Sequence, residues 1–143
     1  MGARAPIQLT SAIDPSKTES SSALINSAFE SQRAEVVLPR ALAVRLGLWP
    51  PPPEAEVQEY GTAGEPMRVF VIPAAVRVRV VTAGRSSDWV RCDATIPPTE
   101  REVVLSDHLA EDLGIVAMKP ARGLWAFAND PEELLPSEPR KIW

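Results

Sequence analysis

Asn26-Ser27-Ala28 places an amide, a hydroxyl and a small residue directly after the apolar stretch Ala23-Leu-Ile. A side-chain amide donates and accepts hydrogen bonds, but it neither takes up nor releases a proton near neutral pH. Asn26 therefore has the chemistry of a binding or turn residue rather than of a general acid or base. His108 is the single histidine, flanked by Asp107, Glu111 and Asp112. On a helix, His108 and Asp112 are four apart and face the same way. Further ligands are not evident, so the segment reads as a solvated acidic helix face, and neither a metal nor another cofactor is expected. A serine triad would need His108 beside Ser27 or Ser106, and nothing in the sequence places it there. Gly61-Thr-Ala-Gly64 is too short for a phosphate loop and precedes a strand rather than a helix.

Strand periodicity dominates the elements that would carry these residues. Val76, Val78 and Val80 alternate with Arg77 and Arg79, the pattern of a half-buried strand. Asp88 to Ile96 repeats it, with Val90, Cys92, Ala94 and Ile96 expected inward and Trp89, Arg91, Asp93 and Thr95 outward. Cys92 thus reads as a small core residue rather than a nucleophile. Ile7 to Ile13, Ser22 to Phe29 and Met67 to Ile72 are further strand candidates. Glu56 to Tyr60 and Met67 to Ile72 flank Gly61-Thr-Ala-Gly-Glu-Pro66, which predicts a hairpin. Before it, Trp49-Pro-Pro-Pro-Pro53 is expected as an extended polyproline spacer. The segment 129–143 is proline-rich and charged, and is expected to be loosely ordered or draped on a partner, leaving 1–128 as the folded domain.

Two segments resemble each other. Glu35-Val-Val-Leu-Pro-Arg-Ala-Leu-Ala-Val-Arg-Leu-Gly47 aligns without gaps on Glu102-Val-Val-Leu-Ser-Asp-His-Leu-Ala-Glu-Asp-Leu-Gly114, sharing eight of thirteen residues at an offset of 67. Each copy predicts a short strand running into a two-turn helix. Pro39 suits the first helical position of one, Ser106 the N-cap of the other, and Gly47 and Gly114 the left-handed residue after each helix. The repeat predicts internal pseudo-symmetry.

The bulk properties set limits on function. The 143 residues fit one domain, and 15 prolines argue against long helices. Net charge is −4, from 15 basic and 19 acidic residues, with no basic run, so nucleic acid is not the expected partner. No apolar stretch approaches the roughly 20 residues that span a bilayer. With no membrane span, no leader pattern and one cysteine, the expectation is a cytoplasmic protein.

The order of these parts resembles the prokaryotic retropepsin-like aspartic proteases. A strand leads into Ala23-Leu-Ile-Asn-Ser-Ala28, then Val37-Leu-Pro-Arg-Ala-Leu-Ala-Val-Arg-Leu-Gly-Leu48, then the Tyr60-Gly-Thr-Ala-Gly-Glu-Pro66 hairpin, with Val103 to Ile115 in the place of the family's later strand and helix. The resemblance covers most of residues 5 to 127. It implies a mainly β fold, a single barrel-like lobe with an internal pseudo-twofold and two short helices, and a homodimer with its site on the twofold axis. The hairpin would be the flap over a groove that takes extended peptides. Tyr60 and Thr62 would lie near its tip, and Asn26 and Ser27 on the groove floor.

The family's Asp-Thr-Gly is replaced here by Asn26-Ser27-Ala28. Aspartic proteolysis needs two carboxylates sharing a proton, and a symmetric dimer of this chain would present two amides. The resemblance therefore implies a catalytically inactive homodimer that binds peptides or serves as a scaffold. Two alternatives stay open. One is a peptidase active by another route, with Asp93 or Asp107 recruited or Asn26 deamidated before Ser27. The other is a swapped-hairpin DNA-binding regulator, since Val37 to Leu48 also resembles the strand-Pro-helix step of AbrB-like factors.

Overall fold

A computed structural model describes residues 2–26, 31–60 and 67–143. Among these residues, ten strands and two short α-helices follow in the order β1 (Ala3–Ser11), β2 (Thr18–Ile25), β3 (Glu35–Val37), α1 (Arg40–Arg45), β4 (Glu56–Tyr60), β5 (Met67–Val80), β6 (Val90–Ile96), β7 (Val104–Leu105), α2 (Asp107–Leu113), β8 (Ile115–Lys119), β9 (Leu124–Phe127) and β10 (Leu135–Pro136). Neighbouring strands run β1-β2-β7-β3-β6-β5, and β5 pairs back onto β1, closing a six-stranded barrel. The fold is mainly β. Outside the barrel, β4 pairs with β5, and β10-β9-β8 form a second, smaller sheet.

Alternation along the strands fills the barrel. Ala3, Ala5, Ile7 and Leu9 of β1 and Val76, Val78 and Val80 of β5 are buried, as are Ala94 and Ile96 of β6. Each fully buried Val, Leu or Ile contributes about 1.5–3 kcal/mol. Closure depends on β5. Its first half has β4 on one flank, and its second half has β1 there instead, with a register shift between Ile72 and Val76. A bulge of this kind bends a strand and increases its twist, letting one strand serve both pairings. Ala74 has φ of 50°, and two β6 side chains hold it: Asp93 Oδ1 accepts from its N–H at 2.8 Å, and Arg91 Nε donates to its carbonyl at 2.8 Å.

That use of Asp93 corrects the sequence pattern. Asp93 and Thr95 were expected outward, yet both are buried. The second face of β6 is covered from the segment around β3: Arg33 reaches Asp93 at 3.2 Å, and the Thr95 hydroxyl donates to the Glu35 carboxylate. Cys92 sits in the core as expected.

The repeated segments become β3-α1 and β7-α2, and their pairing is itself twofold. Strand β2 of the first half runs parallel to β7 of the second, and β6 of the second runs parallel to β3 of the first. Between them β3 and β7 are antiparallel, with Val37 opposite Val104, its own equivalent in the repeat. Both helices end at left-handed glycines, Gly47 at φ 72° and Gly114 at φ 73°. Ser106 caps α2 by accepting from the Leu109 N–H at 3.1 Å. Pro39 departs from its expected place: it occupies the N-cap of α1, one residue earlier. Leu42, Leu46, Leu109 and Leu113 bury the apolar faces of the two helices.

The hairpin forms with Tyr60 opposite Met67, and its tip, 61–66, lies outside the described residues. The proline run ends in a turn, with the Ala55 N–H donating to the Pro52 carbonyl at 3.0 Å. Trp49 anchors its start, edge-on to Phe70 at 5.2 Å. The C-terminal segment, expected to be loose or draped on a partner, instead packs on its own barrel. Lys141 N–H and Trp143 Nε1 donate to Ser22 and Ser21 of β2 at 2.8 and 3.0 Å, and the Glu138 N–H donates to the Arg4 carbonyl at 2.9 Å.

Candidate functional site

Asn26 is the first residue beyond β2. Because β2 and β7 are parallel, with Ile25 opposite Leu105, both strands end at the same place. The residue leaving β2 therefore lies beside the start of α2. This geometry puts Asn26 and Asp107 on one cleft of ≈ 370 Å³, walled by Ile25, Ala110, Ile115 and Val116 and carrying Glu111 as a second carboxylate. Asp107 Oδ1 accepts backbone N–H groups from His108 at 2.7 Å and Ser31 at 3.2 Å. It thereby ties the start of α2 to the segment that begins at Ser31.

Two recruited carboxylates were considered from sequence, and their places differ. Asp107 lines the cleft with Asn26, whereas Asp93 is committed to Ala74 and Arg33. The twofold pairing supplies no second acid. Leu24 opposes Val104 as Thr95 opposes Val37, so Asn26 corresponds to Pro97. Ser27 and Ala28 lie outside the described residues, as does Thr62. Tyr60 is placed by its backbone at the end of β4, and among the described residues nothing of the hairpin lines the cleft.

Other chemistry weighed from sequence is placed as follows. The Ser106 hydroxyl is fully buried and accepts from both Leu109 and Glu35 N–H groups at 3.1 Å. His108 Nε2 turns instead to Asp112 at 3.6 Å, and both are exposed. No hydrogen bond joins His108 to Ser106, so no triad assembles around that serine. Burial pushes the Cys92 thiol up, with the nearby Asp93 and Glu35 charges adding to the effect, which removes the thiolate a nucleophile needs.

No family model matches the sequence, and no curated protein is significantly similar to it.

Sequence reasoning found Asn26 and Asp107 but missed the rest of the cleft. Ile115 and Val116 belong to β8, an edge strand of the small sheet. Their role depends on a strand that follows α2 and folds back toward the end of β2. Nothing in the local sequence pattern reports that approach.

Proposed function

We propose that this chain is a retropepsin-like lobe that has lost its acid/base pair and works as a homodimeric peptide-binding or scaffold protein. The observation that carries the reading is the place of Asn26. It stands at the end of barrel strand β2, whose last three residues are apolar, beside the start of the second repeat's helix, where the resemblance expects the catalytic aspartate. The closed barrel with two short helices and twofold pairing supports the same reading. An amide there can hold a peptide backbone by hydrogen bonds, but it cannot act as the base toward water.

The test compares the unmodified chain with Asn26→Asp combined with Ala28→Gly on unstructured protein substrates from pH 3 to 7. The unmodified chain is expected to be inert, and cleavage is expected only in the double variant. Cleavage by the unmodified chain that survives Asn26→Ala would sink the lost-catalysis account. It would favour the second reading, a peptidase using another carboxylate, for which the position of Asp107 on the cleft is the supporting observation. Loss of that activity in Asp107→Asn would then assign it.

A further inference from the structure

On the outer face of β5 and β6, Arg77 and Arg91 are directly opposed cross-strand partners. Arg79 lies two residues along β5, on the same face as Arg77. Among the described residues none of the three is ion-paired with a carboxylate. Like charges directly opposite each other destabilise an antiparallel pair, so the fold carries a local cost here that no carboxylate among the described residues offsets by an ion pair.

Two of the three guanidinium groups are held in place. Arg79 donates from Nε and Nη2 to Gln8 Oε1 at 2.9 and 2.7 Å, and stacks 4.6 Å from the Trp89 ring. Arg91 is anchored through Nε to the Ala74 carbonyl at 2.8 Å. Each keeps further N–H donors beyond these bonds. The face continues across β1 and β2 with hydroxyls in register: Thr10 lies opposite both Arg77 and Thr18, and Gln8 opposite Ser20. The result is an arginine surface with two of its three guanidinium groups fixed before any ligand arrives.

We propose that this face binds an acidic, extended peptide segment of a partner protein. Residues two apart in a strand are separated by about 6.6–6.8 Å, so the side chains at i and i+2 of an extended Glu-rich segment match the spacing of Arg77 and Arg79. Arg91 offers a third guanidinium one strand over, about 5 Å away. Guanidinium and carboxylate pair bidentately, which suits such an array. A nucleic acid is disfavoured by the net charge of −4 and by the small number of cations available to meet successive phosphates.

Anisotropy of a fluorescently labelled ten-residue oligoglutamate, titrated with the full chain at about 20 mM salt, tests this. The expected result is salt-sensitive binding that weakens by at least about tenfold in Arg77→Gln with Arg91→Gln. Arg77→Gln alone should melt at the same temperature or higher, because the opposed charge is gone while Arg91 keeps its bond to the Ala74 carbonyl. Absence of oligoglutamate binding, equal binding by the double variant, or a lowered melting temperature of Arg77→Gln would each overturn the proposal. So would tighter binding of an oligothymidylate of equal charge, which would identify a nucleic-acid surface instead.

Discussion

Ser106 shows how one small side chain joins the two halves. Its buried hydroxyl accepts the N–H of Leu109 in its own helix and that of Glu35 in the other repeat. Ser106→Ala leaves both N–H groups without their acceptor and should cost about 1–2 kcal/mol, read as a lowered urea midpoint. Cys92 supplies a second prediction at this scale. Burial holds its thiol neutral, so a thiol reagent at pH 8 should label it at the rate of unfolding and not before. Its folded-state value lies above the ordinary 9.0, so the thiol's contribution to stability is present below pH 9 and lost as pH rises beyond it. Cys92→Ala should flatten that alkaline limb in a series of urea titrations. The inward place of Cys92 was legible from alternation alone. The burial of Asp93 two positions from an exposed Arg91 was not, because a period of two reports one covered face and cannot foresee that Arg33 and Glu35 cover the other.

The matched helices make a comparison possible at the scale of elements. At Gly114 a Cβ would meet open space, so Gly114→Ala tests the left-handed backbone alone, with an expected loss of roughly 1–2 kcal/mol by urea unfolding. At Gly47 the added Cβ would come within 2.9 Å of Lys17 Nζ, the end of a flexible side chain that can swing clear. Gly47→Ala should therefore cost about the same. Most of the barrel strands, the hairpin and both helices followed from periodicity, caps and turn residues, whereas β8 and β10 did not. The long β5 did not, since Pro73 separates two stretches that read as separate strands. The bulge beside it, held by Asp93 and Arg91, allows the chain to continue through.

For the whole molecule, the C-terminal segment acts as a clasp. Glu102 is 4% exposed and meets both Arg4 and, at 3.1 Å, Arg140 of that segment. Arg140→Ala removes a partner that is largely exposed and should cost under about 1 kcal/mol. Glu102→Ala leaves the Arg4 guanidinium mostly buried without its anion and should cost about 3–5 kcal/mol. Differential scanning calorimetry of the two variants would check the order, and equal losses would contradict the geometry. From sequence this segment read as loose because its composition is polar and proline-rich. Its order comes instead from specific bonds to β1 and β2, such as Trp143 to Ser21.

The sequence by itself determined the β character, the inward residues of most strands, the repeat and its caps, and the absence of a carboxylate at position 26. Those features are local: they depend on alternation, on glycine and proline geometry, and on side-chain identity. Only the tertiary structure decided that the repeat closes a barrel through Val37 opposite Val104, that Asp107 rather than Asp93 shares a cleft with Asn26, and that Arg77 faces Arg91. Each of these depends on strand register between segments far apart in the chain. Register is set by the packing of the whole barrel, and no single segment carries it.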